Sequence, residues 1–126
     1  MSNPKEKLKT YLDKNGIVET SKVTGLSYMN IIKQLDLNYK TFDDITFNPY
    51  PVDKGVQGVI MFKNGYGVSV VSHQMSYGGK LGLYEMAVLD KNGKLTYDTP
   101  ITNDVIGYLT PEQVTEKLIQ IQDLKN

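Results

Sequence analysis

The chain has 126 residues with 14 basic and 14 acidic side chains, one histidine and no cysteine. That length allows one globular domain or two very small ones, and it supports a core without metal or disulfide staples. Disulfide frameworks, Cys-based zinc sites, iron–sulfur clusters and cysteine nucleophiles are excluded together, and the single His73 excludes multi-histidine metal sites.

All basic residues are lysines, so nothing here offers the planar guanidinium fork used for bidentate recognition of carboxylate, phosphate or guanine. Nine tyrosines against three phenylalanines and no tryptophan suit half-buried sheet surfaces and protein interfaces. No stretch approaches the ~18 apolar residues of a membrane span, and the first ten residues are too polar for a signal peptide. A cytoplasmic protein with no membrane contact is the expectation.

Residues 1 to 40 carry a net +3 and the remainder −3. Signals in this first stretch are helical. Asn3 and Pro4 suit an N-cap and first helical position, Leu8, Tyr11 and Leu12 recur at helical spacing, and Asn15-Gly16 offers a stop. Two short segments follow, Glu19 to Thr24 and Ser27 to about Leu37, with Gly25 between them and Ser27 as a cap. The run Thr24-Gly25-Leu26-Ser27, with Ser21 four before the glycine, Ile31 six after it and Leu35 four later, resembles a helix-turn-helix. Gly closes the corner in such a motif, and Leu26, Ile31 and Leu35 hold the second helix so that Tyr28, Asn30, Lys33 and Gln34 face a DNA groove. Residues 1 to 41 are therefore read as a helical module, and 42 to 126 as an α+β domain. A DNA-binding monomer with so few lysines binds weakly, so specificity calls for a homodimer reading two half-sites.

From Phe42 onward the pattern is β. Asn48-Pro49-Tyr50-Pro51 is stiff and non-helical, either a linker or the start of an edge strand. Val56 to His73 predicts a hairpin with a two-residue turn at Asn64-Gly65, which pairs Lys63 with Tyr66, Met61 with Val68 and Val59 with Val70. Val59, Met61, Val68 and Val70 then form one apolar face, with Gly58, Ser69, Val71 and His73 on the other. A second hairpin from Leu83 to Asp98 turns at Asn92-Gly93 and pairs Val88 with Tyr97 and Asp90 with Leu95. It places Tyr84, Met86, Val88, Leu95 and Tyr97 together. Asp98-Thr99-Pro100 reads as a strand exit, and Thr102 or Asn103 as the cap of a single helical turn.

The last element is a helix. Thr110 is its N-cap, Pro111 its first residue, Glu112 and Gln113 its first turn, with Gln113 completing a capping box. Val114, Leu118, Ile121 and Leu124 form its apolar stripe, while Glu112, Glu116, Lys117, Gln120 and Asp123 point to water. An antiparallel meander of about four strands, packed by this helix on one face, buries both apolar surfaces.

Chemical motifs are weak. Ser76-Tyr77-Gly78-Gly79-Lys80-Leu81-Gly82 lacks both the upstream glycine and the Ser or Thr of a phosphate loop. Gly65-Tyr66-Gly67 lacks the third glycine of a dinucleotide fingerprint. His73 has no acidic neighbour in sequence that makes it a general base. Asp43-Asp44, and Asp98 with Asn103-Asp104, lack the ligand alternation of a calcium loop and read as caps and turns. No catalytic residue, metal ligand or cofactor is nominated.

The segments Asn64 to Val71, Ser76-Tyr77-Gly78-Gly79, Leu83 to Leu89 and above all Tyr97 to Tyr108 resemble a family of small phage and prophage proteins without assigned function. The resemblance spans residues 42 to 124. It implies phage origin and a compact α+β domain, and supplies no catalytic residues. By analogy with anti-defence proteins, it also implies a non-enzymatic accessory protein that binds a host or phage macromolecule, such as a component of a bacterial defence system. Tyr77, Lys80 and His73 are the candidate protein-binding residues. The alternative is a DNA-binding transcriptional regulator acting through residues 19 to 37.

Overall fold

The computed structural model describes residues 3 to 51, 54 to 102 and 104 to 125. The chain divides into two compact units, Met1–Tyr39 and Lys40–Asn126.

The first unit is helical. Helix α1 (Pro4–Thr24) begins where Asn3 accepts a hydrogen bond from the Glu6 N–H, and it is broken at Gly16, whose φ of 82° and ψ of 167° lie outside helical space. The Asn15-Gly16 stop is thus real, and the chain resumes helix at once, two residues earlier than the expected start at Glu19. Ile17 and Thr20 on this second limb are fully buried, and the Thr20 hydroxyl donates to the Gly16 carbonyl at 2.7 Å. Gly25, with φ 75°, ends the limb in the left-handed region where a Cβ is costly. Ser27 then caps helix α2 (Tyr28–Leu35) by accepting from the Asn30 N–H at 3.1 Å.

The second unit is α+β: a five-stranded antiparallel sheet in the order β1-β2-β3-β4-β5 with one helix on it. The strands are β1 (Asn48–Pro49), β2 (Val56–Met61), β3 (Gly67–Ser72), β4 (Tyr84–Leu89) and β5 (Ile106–Leu109), and the helix is α3 (Pro111–Gln122). The stiff Asn48-Pro49 dipeptide is the edge strand, where proline's missing N–H leaves no ladder bond unmade. The capping box of α3 is present: Thr110 accepts from the Gln113 N–H at 3.2 Å, and Gln113 accepts from the Thr110 N–H at 3.0 Å.

Both hairpin registers differ from the sequence expectation by one residue. Met61 pairs with Gly67, Ile60 with Val68 and Gly58 with Val70, rather than Met61 with Val68 and Val59 with Val70. The cause lies in the loop. Phe62 and Tyr66 close it through Phe62 N–H to the Tyr66 carbonyl at 2.8 Å, and Gly65 N–H returns to the Phe62 carbonyl at 3.1 Å. Three residues, Lys63, Asn64 and Gly65, therefore make the connection, with Gly65 at φ 94° in the left-handed position that follows a type I turn. The second loop repeats the device at Lys91, Asn92 and Gly93, with Asp90 N–H to the Lys94 carbonyl at 2.7 Å and Gly93 at φ 76°.

A one-residue slip sends every side chain of one strand to the opposite face. Val59 and Met61 leave the face of Val68 and Val70, and Gly58 joins it. In the second hairpin Leu95 bridges Leu89, not Asp90, and the return segment forms this single bridge instead of a strand. Leu95 and Tyr97 are 54% and 48% exposed and do not share the Met86–Val88 face. The fourth strand's regular partner is β5, with Tyr84 opposite Leu109 and Met86 opposite Ile106, and the described residues Thr102, Asp104 and Val105 ahead of it form no helical turn. The Thr102 hydroxyl instead donates to the Asp104 carbonyl at 2.7 Å, and Asn103 lies outside the described residues.

The covered face is the core. Val68, Val70, Met86, Val88 and Leu109 from the sheet meet Val114, Leu118 and Ile121 from α3, with Ile45 filling the space above Gly58 and Leu124 at the rim. Ile119, outside the expected stripe, is also fully buried. Phe42, Phe47 and Tyr84 close one side, with ring centroids 5.1 to 5.5 Å apart. Polar side chains fasten the helix: the Asn64 amide donates to the Ile121 and Leu124 carbonyls at 2.8 and 2.9 Å, and Gln122 both donates to and accepts from the Lys40 backbone at 2.8 Å. Among the described residues no helix is long and apolar enough to cross a membrane.

Candidate functional site

Within the second unit, among the described residues, the helix α3 packs on one face of the sheet only. The side chains of the other face follow from the register in three rows across β2, β3 and β4: Gln57, Val71 and Glu85; then Val59, Ser69 and Ala87; then Met61, Gly67 and Leu89. Gly67, Ser69 and Ala87 put small residues at the middle of this face, between the larger side chains of its edges. The result is an open trough of about 570 Å3, lined also by Tyr50, His73, Gly93, Leu95 and Val105.

Polarity changes along this trough. One end is apolar: Met61 lies over Gly67, which has no Cβ to oppose it, and Leu89 is bridged to Leu95. The other end is polar. Tyr50 and His73 are stacked at 4.7 Å with a 7° interplanar angle, and the Gln57 amide donates to the Ser69 hydroxyl at 3.0 Å. Glu85 accepts from the Tyr77 N–H at 3.2 Å. Val59, Met61 and Leu95 are 54%, 45% and 54% exposed. These three side chains leave apolar surface open beside the polar end of the trough.

His73 sits one residue beyond β3. The Met75 N–H donates to its Nδ1 at 3.2 Å. Its own backbone is tied to Ser76, whose hydroxyl accepts from the His73 N–H at 2.9 Å and donates to the His73 carbonyl at 2.8 Å. Tyr77 and Lys80 lie outside the trough. Tyr77, 58% exposed, stacks at 6.5 Å on Tyr108, a β5 residue held at φ 57° and itself 60% exposed. The Tyr108 N–H donates to the Tyr77 carbonyl at 3.1 Å. Lys80 is exposed on a single 3-10 turn, Gly79–Leu81. In this glycine-rich stretch the N–H groups of Gly79, Leu81, Gly82 and Leu83 all bond to carbonyls of the same loop, so they do not converge on an anion.

In the first unit, Asn30, Lys33 and Gln34 are exposed on the side of α2 away from the buried Ile31, Ile32 and Leu35. Tyr28 is half-buried, four residues before Ile32, and does not stand free with the other three. The corner is held by the Ser21 hydroxyl donating to the Leu26 carbonyl at 2.7 Å.

Among the described residues no group of three or more His, Cys, Asp or Glu lies close enough to hold a metal ion. Asp44 is a cap, accepting from the Thr41 N–H at 2.8 Å. Sequence reasoning nominated His73 but missed Tyr50, Gln57 and Glu85 beside it, and it placed Val59 and Met61 in the core. A three-residue loop is equally compatible with Asn-Gly, and counting the pairing from that loop exposes the trough. Comparison with protein-family models, with curated proteins and with solved structures found no match.

Proposed function

We propose that this chain is a non-enzymatic binding protein whose second unit engages a macromolecular partner through the open face of its sheet. The observation that carries this reading is the trough: a concave, apolar surface on the rigid middle strands, exposed while the other face of the same strands is sealed by α3. Binding surfaces built on strands hold their side chains in fixed register, which limits the ordering cost on association. His73 adds a flat ring to this surface, stacked on Tyr50 at the polar end of the trough. Origin as a phage accessory protein, with a bacterial defence component as partner, belongs to this proposal and rests on the sequence resemblance of residues 42 to 124.

A photo-crosslinking amino acid placed at Val59, and separately at Glu116 on the outer side of α3, tests the reading in bacterial lysate. The expected result is one dominant adduct from position 59 and none from 116. Equal labelling from both positions, or none from 59, contradicts it.

A second reading has its own support. Asn30, Lys33 and Gln34 are exposed together on a capped helix in a unit of positive charge, which suits Asn or Gln contacts to adenine and a lysine contact to phosphate. Fluorescence anisotropy with duplex DNA at two salt concentrations separates the readings. A DNA-binding unit binds at low salt, and Lys33→Ala lowers the salt slope by about one. No binding at low salt removes this alternative.

A further inference from the structure

The trough has a direction, and that direction names its occupant. From the Met61–Leu89 row to the Gln57–Glu85 row is four residues along the strands, about 13 Å at 3.3 Å per residue. The first row is apolar. At the second stands Glu85, among the described residues the only Asp, Glu or Lys side chain that lines the trough. Its hydrogen bond comes from a neutral donor, the Tyr77 N–H, and among the described residues the only ion pair is Lys9 with Asp13. A half-buried carboxylate at the end of an apolar floor, without a cation of its own, complements a cation brought by the partner.

Resting on the binding role proposed above, we infer that the trough takes an extended segment of a partner protein with apolar side chains at two alternate positions and a lysine or arginine at the next. In an extended chain side chains at positions i, i+2 and i+4 lie on one side and span about 13 Å, matching the three rows. The first apolar side chain rests between Met61 and Leu95, the second over the small floor at Ser69 and Ala87, and the basic group reaches Glu85. A second copy of this chain fits less well. A face of four to five strands covers only about 400 Å2, so two such faces bury about 800 Å2, well below the roughly 1,200 to 2,000 Å2 of a stable interface.

The test uses the full chain labelled with 15N and two blocked pentapeptides, Leu-Ser-Val-Ser-Arg and Leu-Ser-Val-Ser-Glu. Titration with the arginine peptide is expected to move the amide signals of Val59, Ser69, Glu85 and Ala87 in a saturable way. The glutamate peptide should bind about tenfold more weakly, about 1.4 kcal/mol, the size of one hydrogen bond to a charged group. Glu85→Gln should remove the difference between the peptides, and Glu85→Lys should reverse it. Signal dispersion reports whether each variant is folded, and the glutamine variant alone suffices if the lysine variant is not. Equal binding of both peptides in the trough overturns the charge assignment and leaves the open face as a binding surface. Shifts elsewhere, or none, overturn both. Trough shifts that depend on protein concentration without peptide make a second copy the occupant and overturn the inference.

Discussion

The two faces of one sheet are made by the same strands and differ in what covers them. Along β3 and β4, Val68, Val70, Met86 and Val88 point to α3 and are at most 1% exposed. The alternate residues, Ser69, Val71, Glu85 and Ala87, point the other way and line an open trough. Antiparallel sheets commonly seal one face and leave the other polar to water. Here the second face keeps Val59, Met61 and Leu95 exposed beside a buried Leu89, so its composition lies between that of a core and that of a wetted surface. Stability is concentrated on the first face, and the second is left available for contact.

Substitutions sharpen this contrast. The largest effect is expected at Met86, 1% exposed beneath α3: Met86→Ala leaves a cavity and should cost about 2 to 5 kcal/mol in denaturant unfolding. Leu118→Ala, on the helix side of that core, belongs to the same class. Next comes Gly67→Ala. A Cβ there meets the Met61 thioether and lies 2.7 Å from the Ile60 carbonyl, so backbone must move, at a cost of about 1 to 3 kcal/mol. Asn64→Ala removes the amide that caps the end of α3 and should cost about 1 to 2 kcal/mol. Gly93→Ala meets no atom within 4 Å but must hold φ 76°, so about 1 kcal/mol of purely conformational cost is expected in thermal melts. Smallest is Met61→Ala, the same change as at Met86 but on a side chain 45% exposed, with about 0.5 to 1 kcal/mol expected and the trough's ligand affinity reduced instead. Equal losses at Met86 and Met61 would erase the distinction between the faces.

Elements marked by local chemistry were legible in the sequence. The Thr110–Gln113 box, the Gly25 and Ser27 boundaries and the Asn15-Gly16 break are set within a few residues of chain, so reading those residues suffices. Register was not legible, because Asn-Gly serves both a two-residue turn and the end of a three-residue loop. In the first hairpin the three-residue loop carries Asn64 to the end of α3, where its amide donates to the Ile121, Gln122 and Leu124 carbonyls. That single residue of loop length decides whether Val59 and Met61 are core or surface. The trough was hidden for the same reason, since its rows exist only in the correct register. β5 was missed because Gly107 and the left-handed Tyr108 interrupt its alternation.

The measurement that bears most directly on the contrast uses the methionine methyl groups as reporters. A full chain labelled with 13C at the methionine methyls, titrated with a soluble nitroxide, reads solvent access at Met61 and Met86 in one spectrum, with the 77% exposed Met75 as the open reference. Broadening of Met61 together with Met75, while Met86 remains sharp, is the expected result. A Met61 signal protected to the same degree as Met86 would mean that the second face is covered in solution, and would contradict the account.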